Sequence, residues 1–196
     1  HIIEKRTDGF HNLETVFYPI GLSDVLEILP HPTLEFIQSG ITVDGNPQDN
    51  LCLKAYRLLK AEYDIPAVYM QLHKLIPMGA GLGGGSSDAA FVLKALNSEF
   101  KLGLSTEQLK SYAAALGSDC AFFIENKPAI ATGRGEILNT INLSLKGYYP
   151  VLIKPDVHVG TAEASSNIIP RKPQVRLLEI ISTPRESWKK SRVNDL

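Results

Sequence analysis

Cysteine is scarce in this chain: Cys52 and Cys120 are the only two among 196 residues. Two cysteines at that spacing build neither a disulfide framework nor a metal knuckle, so a reducing, cytoplasmic setting is expected. An excess of charge is lacking too. Twenty Lys and Arg stand against 21 Asp and Glu, a formal net charge of −1, which argues against a nucleic-acid or membrane-surface partner. Only residues 168–196 are lopsided, with seven basic against three acidic side chains, read as a solvated basic face. No apolar run is long enough to span a bilayer, and the basic start HIIEKR is followed by no signal-peptide core. What remains is a chain 44% hydrophobic, able to bury a core as one or two domains.

One residue type is concentrated instead. Residues 76–90 read IPMGAGLGGGSSDAA, with five glycines between Gly79 and Gly85. Glycine gives up more conformational entropy on ordering than any other residue, so such a run needs a reason. A flexible linker is one. The flanks oppose it: Val68, Met70, Leu72 and Ile76 nearly alternate upstream, the period of a half-buried strand. Downstream, SSDAAFVLKALN is helix-forming, with Ser86 or Ser87 as N-cap and Asp88 favouring the first turn. Strand, glycine loop and helix in that order place bare amides at a helix start, where an anion binds.

Three phosphate-loop designs can be compared with it. A P-loop requires a lysine after its last glycine, and GGGSSDAA has none. Gly79, Gly81 and Gly84 satisfy G-x-G-x-x-G literally, but NSEFKLGLSTEQL does not supply the second strand and terminal acid of a dinucleotide fold. A protein-kinase loop would be followed by H-R-D and D-F-G, which are absent.

Elsewhere, strands are expected at ETVFYPI and DVLEIL, joined by a turn at 21–23, then at TLEFIQ and ITVDG. A helix opens at Asp49–Asn50 and runs to about Tyr63; another opens at Ser105–Thr106 and ends near Gly117. AFFI, KPAIATG, GEIL and YYPVLIKP read as strands, and four prolines between 155 and 184 suggest short helices and loops beyond. The order is mixed rather than alternating, so an α+β fold with an antiparallel-rich sheet is expected.

The loop PMGAGLGGGSSDAA resembles that of the homoserine, mevalonate and galactose kinase superfamily, the GHMP kinases. RTDGFHNLETVFYPIGLSD, DNLCLKAYRLL, LGSDCAFF, ATGRGEIL and KPDVHVGTAEA resemble segments of the branch whose acceptor is a cytidine-diphosphate-linked methylerythritol. The resemblance implies a GHMP-kinase-like fold, with residues 1–146 as the N-terminal kinase domain and 147–196 as the start of a second. It implies ATP and Mg²⁺, phosphorylation of the acceptor's 2-hydroxyl, and a role in isoprenoid synthesis. ATP would meet Pro77, Met78, Gly79, Ala80, Gly81, Leu82, Gly83, Gly84, Gly85, Ser86 and Ser87, with Asn50 and Leu51 on the adenine side. Lys74 would approach the nucleotide, or else be a solvated strand-end lysine. Ser87 is the candidate for Mg²⁺.

Asp119 is expected to be the catalytic base; from the residues alone, a helix-capping aspartate is the competing reading. Phe10 would stack on the cytosine and His11 would bond its edge, both on a loop after the Asp8–Gly9 turn. The bland alternative makes Phe10 a core residue. Thr161 matches a substrate contact, whereas Ser165 stands where the family usually has an aromatic. Arg134 is left unassigned. The family extends further at both ends, with a lysine before His1 and a second glycine-serine loop after Leu196, so a partial chain is expected. Its rivals are another GHMP kinase, a nucleotide-binding fragment without turnover, and an oxidoreductase using the literal G-x-G-x-x-G. The assembly is expected to be a monomer or homodimer.

Overall fold

The computed structural model describes residues 1–43, 45–154 and 170–191. They form two compact units, one drawn from the described residues between 21 and 126, the other from residues 1–20 and the described residues from 127 on.

The larger unit is a three-stranded sheet covered by helices. Its strands, β4 (Val25–Pro30), β5 (Glu35–Gly40) and β6 (Val68–Lys74), lie in the order β4-β6-β5. β6 is antiparallel to β4 and parallel to β5, pairing Leu26 with Leu72 and Phe36 with Met70. The alternation read in the sequence is the pleat itself: Val68, Met70, Leu72 and Lys74 face inward. Four helices follow the apolar stripes: α1 (Leu51–Lys60), α2 (Gly84–Glu99), α3 (Thr106–Leu116) and α4 (Cys120–Glu125). Cys52 and Leu59 of α1 and Val92, Leu93 and Leu96 of α2 are buried with Met70 and Leu72. α3 opens on the expected signal. Ser105 accepts from Gln108 N while Gln108 bonds back to Ser105 N, a complete capping box.

The smaller unit pairs β1 (Ile2–Lys5) with β2 (His11–Leu13) and builds a second sheet in the order β3-β7-β8 from Thr15–Phe17, Ala129–Thr132 and Ile137–Thr140. Two short helices, α5 (Leu177–Ile181) and α6 (Arg185–Ser191), complete it.

Several expectations are corrected. AFFI lies in helix α4, not a strand: Cys120, Ala121, Phe122 and Ile124 are all buried, and a short run apolar on every side carries no period to distinguish the two. α1 stops at Lys60 rather than near Tyr63. Residues 41–43 of ITVDG are not strand. β3 and β4, adjacent in sequence, enter different sheets. YYPVLI forms no strand; Tyr149, Val151 and Ile153 stand exposed, because no neighbouring edge among the described residues pairs with them.

Candidate active site

The glycine loop leaves β6 after Lys74 and enters α2 at Gly84. Its handedness alternates: Gly79, Gly81 and Gly83 have φ of 66°, 69° and 66°, and the residues between them do not share that sign. Alternating backbone of this kind turns successive amides toward one concavity. The amides of residues 81–86 find no acceptor among the described residues; the first helical bond runs from Ser87 N to Gly83 O, at 2.8 Å. Six backbone donors therefore cluster at a helix N-terminus, where the dipole favours an anion.

The N-cap is Gly83, in the left-handed region and without any side-chain bond. Neither Ser86 nor Ser87 caps the helix, whose N-cap lies three or four residues earlier than expected. Both serines stand in its first turn, and Ser86 favours the ionised form of the Cys120 thiol without offsetting the upward push of burial. Gly83 is required twice over. A Cβ there would sit 3.0 Å from two ring atoms of Phe123, and φ of 66° disfavours any L side chain.

Beside the loop lies a cavity of about 440 Å³. Phe36, Leu51, Leu72 and Met78 give it apolar walls; Asn50 and Gly85 also line it. Asn50 accepts from Cys52 N at 2.9 Å as the cap of α1 and donates to Gln38, so its capping and lining roles coexist. The structure thus brings Asn50, Leu51, Lys74, Met78 and Gly85 together.

Lys74 is no solvated strand-end lysine. Only 1% exposed, its ammonium bonds Asp24 Oδ2 and, at 2.7 Å, Asp88 Oδ2. Asp88 is correspondingly no first-turn surface charge. Asp24 was missed by sequence reading; its Oδ1 accepts from Leu75 N at 2.6 Å and Ile76 N at 2.8 Å. Nothing in GLSDVLEIL marks an aspartate that pairs across 50 residues, so pattern could not have found it.

One cation between two carboxylates leaves a negative charge over, and the carboxylates divide it unequally. Desolvation pushes both upward, but Lys74 and the two amides together hold Asp24 below its ordinary value. Asp88 has no such amides, and burial lifts it to about 6 despite Lys74. The same two bonds outweigh desolvation at Lys74 and raise its pKa. A folded-state pKa above the unfolded value means the native state binds the extra proton between about pH 4 and 6. Asp88 therefore contributes stability as pH falls through that window and loses it as pH rises. Asp88→Asn is expected to be more stable than wild type at pH 8, by up to about 3 kcal/mol for two pKa units, and to flatten the stability profile between pH 4 and 7; thermal melts across pH read both.

Asp119 sits between the end of α3 at Gly117 and the start of α4. It occupies the N-cap position, yet its backbone is αR and its side chain makes no capping bond. Although the residue as a whole is exposed, desolvation alone raises its carboxyl pKa. No hydrogen bond or ion pair to that carboxylate is found among the described residues, which removes the capping alternative. Its chain neighbour Cys120 interacts with Ser86 in the first turn of α2.

In the smaller unit, Phe10 is 54% exposed, not a core residue. Asp8 Oδ1 accepts from Phe10 N at 3.2 Å and Arg6 grips both Asp8 oxygens, closing the turn. The Arg134 guanidinium lies 5.0 Å from the Phe10 ring centroid, a cation–π contact that the sequence did not foretell. His11 is the first residue of β2 rather than a loop residue. Thr161 and Ser165 lie outside the described residues. No helix among the described residues is long and apolar enough to cross a membrane.

A family model described as the GHMP kinases N terminal domain matches residues 50–127, the stretch from α1 through the glycine loop to the end of α4. That sets the class: GHMP small-molecule kinases. A 4-diphosphocytidyl-2-C-methyl-D-erythritol kinase of Bacteroides thetaiotaomicron is 54% identical over 99% of this chain and 72% of its own length. Another from Bacteroides fragilis is 55% identical over 100% of this chain and 73% of its own. A crystal structure of 4-(cytidine 5'-diphospho)-2C-methyl-D-erythritol kinase superposes with a TM-score of 0.74 at 30% identity, covering 99% of this chain and 68% of that one. A homoserine kinase from Cytophaga hutchinsonii, 18% identical with a TM-score of 0.53 over 85% of this chain and 62% of its own, shares the fold alone. The chain belongs to the 4-diphosphocytidyl-2-C-methyl-D-erythritol kinase family.

Proposed function

We propose that this chain transfers the γ-phosphoryl group of ATP to the 2-hydroxyl of 4-diphosphocytidyl-2-C-methyl-D-erythritol, a step of the methylerythritol phosphate route to isoprenoids. The observation that carries the kinase reading is the row of unpartnered amides at residues 81–86. Phosphoryl transfer asks the protein chiefly to position groups and neutralise charge, and this cradle does both without a lysine. The β- and γ-phosphates lie on those amides, between Pro77 and Ser87. The adenine enters the cavity beside Asn50 and Leu51, since a buried cluster with a surplus negative charge repels phosphate but tolerates a neutral base.

Asp119 takes the proton from the acceptor hydroxyl as that oxygen attacks phosphorus. The described residues hold no cluster of three metal-ligating side chains, so Mg²⁺ would arrive on the nucleotide's own oxygens. There it would offset the charge of the phosphates, with the Ser87 hydroxyl, which has no partner among the described residues, available to it. Phe10 stacks on the cytosine and His11 bonds its edge; Thr161 is a further acceptor contact. We read residues 1–146 as the N-terminal kinase domain and 147–196 as the start of the second, in a cytoplasmic enzyme.

The test is ATP consumption with the cytidylyl acceptor and with methylerythritol phosphate, which lacks the base. Turnover confined to the first is expected; equal turnover would remove the cytidine from recognition. Phe10→Ala is expected to raise KM for the cytidylyl acceptor roughly tenfold, since base–aromatic stacking is worth about 1–3 kcal/mol, with KM for ATP unchanged. Steady-state kinetics in both substrates measure the split.

A further inference from the structure

The cluster Asp24–Lys74–Asp88 is larger than a nucleotide wall requires. Burying three charges is costly, and such clusters are often no more stable than apolar replacements. Its geometry offers a reason beyond stability. Lys74 has three N–H groups. Two go to Asp24 and Asp88, and the third has no acceptor among the described residues, while Lys74 is one of the residues lining the cavity. The ammonium is thus held from behind with one donor left over. Asp24 spends its other oxygen on the amides of Leu75 and Ile76, the two residues between the end of β6 and the glycine loop. The same carboxylate therefore governs a donor in the cavity wall and the point where the phosphate cradle departs. Spacing is tight here: a Cβ on Gly84 would lie 2.9 Å from Ile76 Cγ2 and 3.4 Å from Lys74 Nζ, so movement of either reaches the first residue of α2.

We propose that Asp24 is a positioning residue for nucleotide binding, fixing the Lys74 ammonium as a hydrogen-bond donor to the base or ribose and fixing the register in which residues 77–83 leave β6. This rests on the kinase reading for its ligand, but not for its loop-fixing half. Asp24 touches no reacting group; it acts through Lys74 and the two amides.

Asp24→Asn keeps an acceptor for the amides and removes the negative charge that faces Lys74. Its Kd for ATP is expected to rise at least tenfold, measured well below its melting temperature, with KM for the cytidylyl acceptor within twofold of wild type. In the ligand-free Asp24→Ala variant, which loses that acceptor as well, the Ser87 amide, bonded to Gly83 O at the head of α2, is expected to exchange hydrogen faster, while the amides of α3 keep wild-type protection. A second measurement uses wild type alone. On saturation with ATP the Lys74 Nζ and Asp24 carboxyl NMR signals are expected to shift, and on saturation with acceptor they are not. A folded Asp24→Asn that binds ATP within twofold of wild type, or Lys74 and Asp24 signals unmoved by ATP, overturns the proposal and leaves Asp24 a stabilising residue only. Wild type that binds no ATP sinks the kinase reading instead; unchanged exchange of the Ser87 amide in Asp24→Ala overturns the loop-fixing half independently.

Discussion

Asp119→Asn is expected to lower kcat by a factor of roughly 10² to 10⁴, the range that a positioned general base contributes, while Kd for ATP stays within twofold. The reason lies in what Asp119 does not do. Its side chain caps no helix and pairs with no cation among the described residues, so removing its charge removes no structural contact. The melting temperature should hold or rise slightly, because a desolvated carboxylate gives way to a neutral amide. The pH profile adds a second reading. A base works only when ionised, and burial holds the Asp119 pKa above its ordinary value, so the acid-side fall in kcat should come at a higher pH than an unperturbed aspartate would give. That limb should vanish in the variant. Turnover within threefold of wild type would take Asp119 out of the chemistry.

Gly83→Val has the second large effect. The substitution forces a β-branched residue into φ of 66°, at about 1–2 kcal/mol or more, and drives its Cβ into the Phe123 ring at 3.0 Å, adding about 1–3 kcal/mol of overpacking. Strain of that size is relieved by displacing the N-cap of α2, and with it the amides that follow. Affinity for ATP is expected to fall by at least 100-fold, by equilibrium titration. Gly81→Ala is the control: φ there is 69°, but its Cβ would meet nothing within 4 Å. It should lose far less affinity. Equal losses at the two positions would show that backbone handedness alone matters and the Phe123 contact does not.

Much of this was legible in the chain because local chemistry and burial agreed. The alternation of Val68, Met70 and Leu72, the Ser105–Gln108 cap and the glycine run each state their structure outright. Failures came where local signals are silent. The run from Cys120 to Ile124 is apolar throughout, and a run without a period does not declare itself helix. Ser86 and Ser87 are good caps in general, but Gly83 already turns the chain, so the helix starts before them. Lys74 reads as a charge at a strand end, and only the partners Asp24 and Asp88, 50 and 14 residues away, make it a buried one. The candidate base and the loop were readable as residues; the cavity beside them was not, because its walls come from β5, β6, α1 and the loop after β6.

The strand order β4-β6-β5 has an implication for how the protein is made. β6 lies between two strands that precede it in the chain, and β4 reaches it across some forty residues that include β5 and α1. Non-local, partly parallel pairing closes slowly. Since the last residue of β6 is Lys74 and the glycine loop begins where that strand ends, the capacity to hold a nucleotide is acquired only once the middle of the sheet is in place. Helices that form early are no guarantee of a working enzyme.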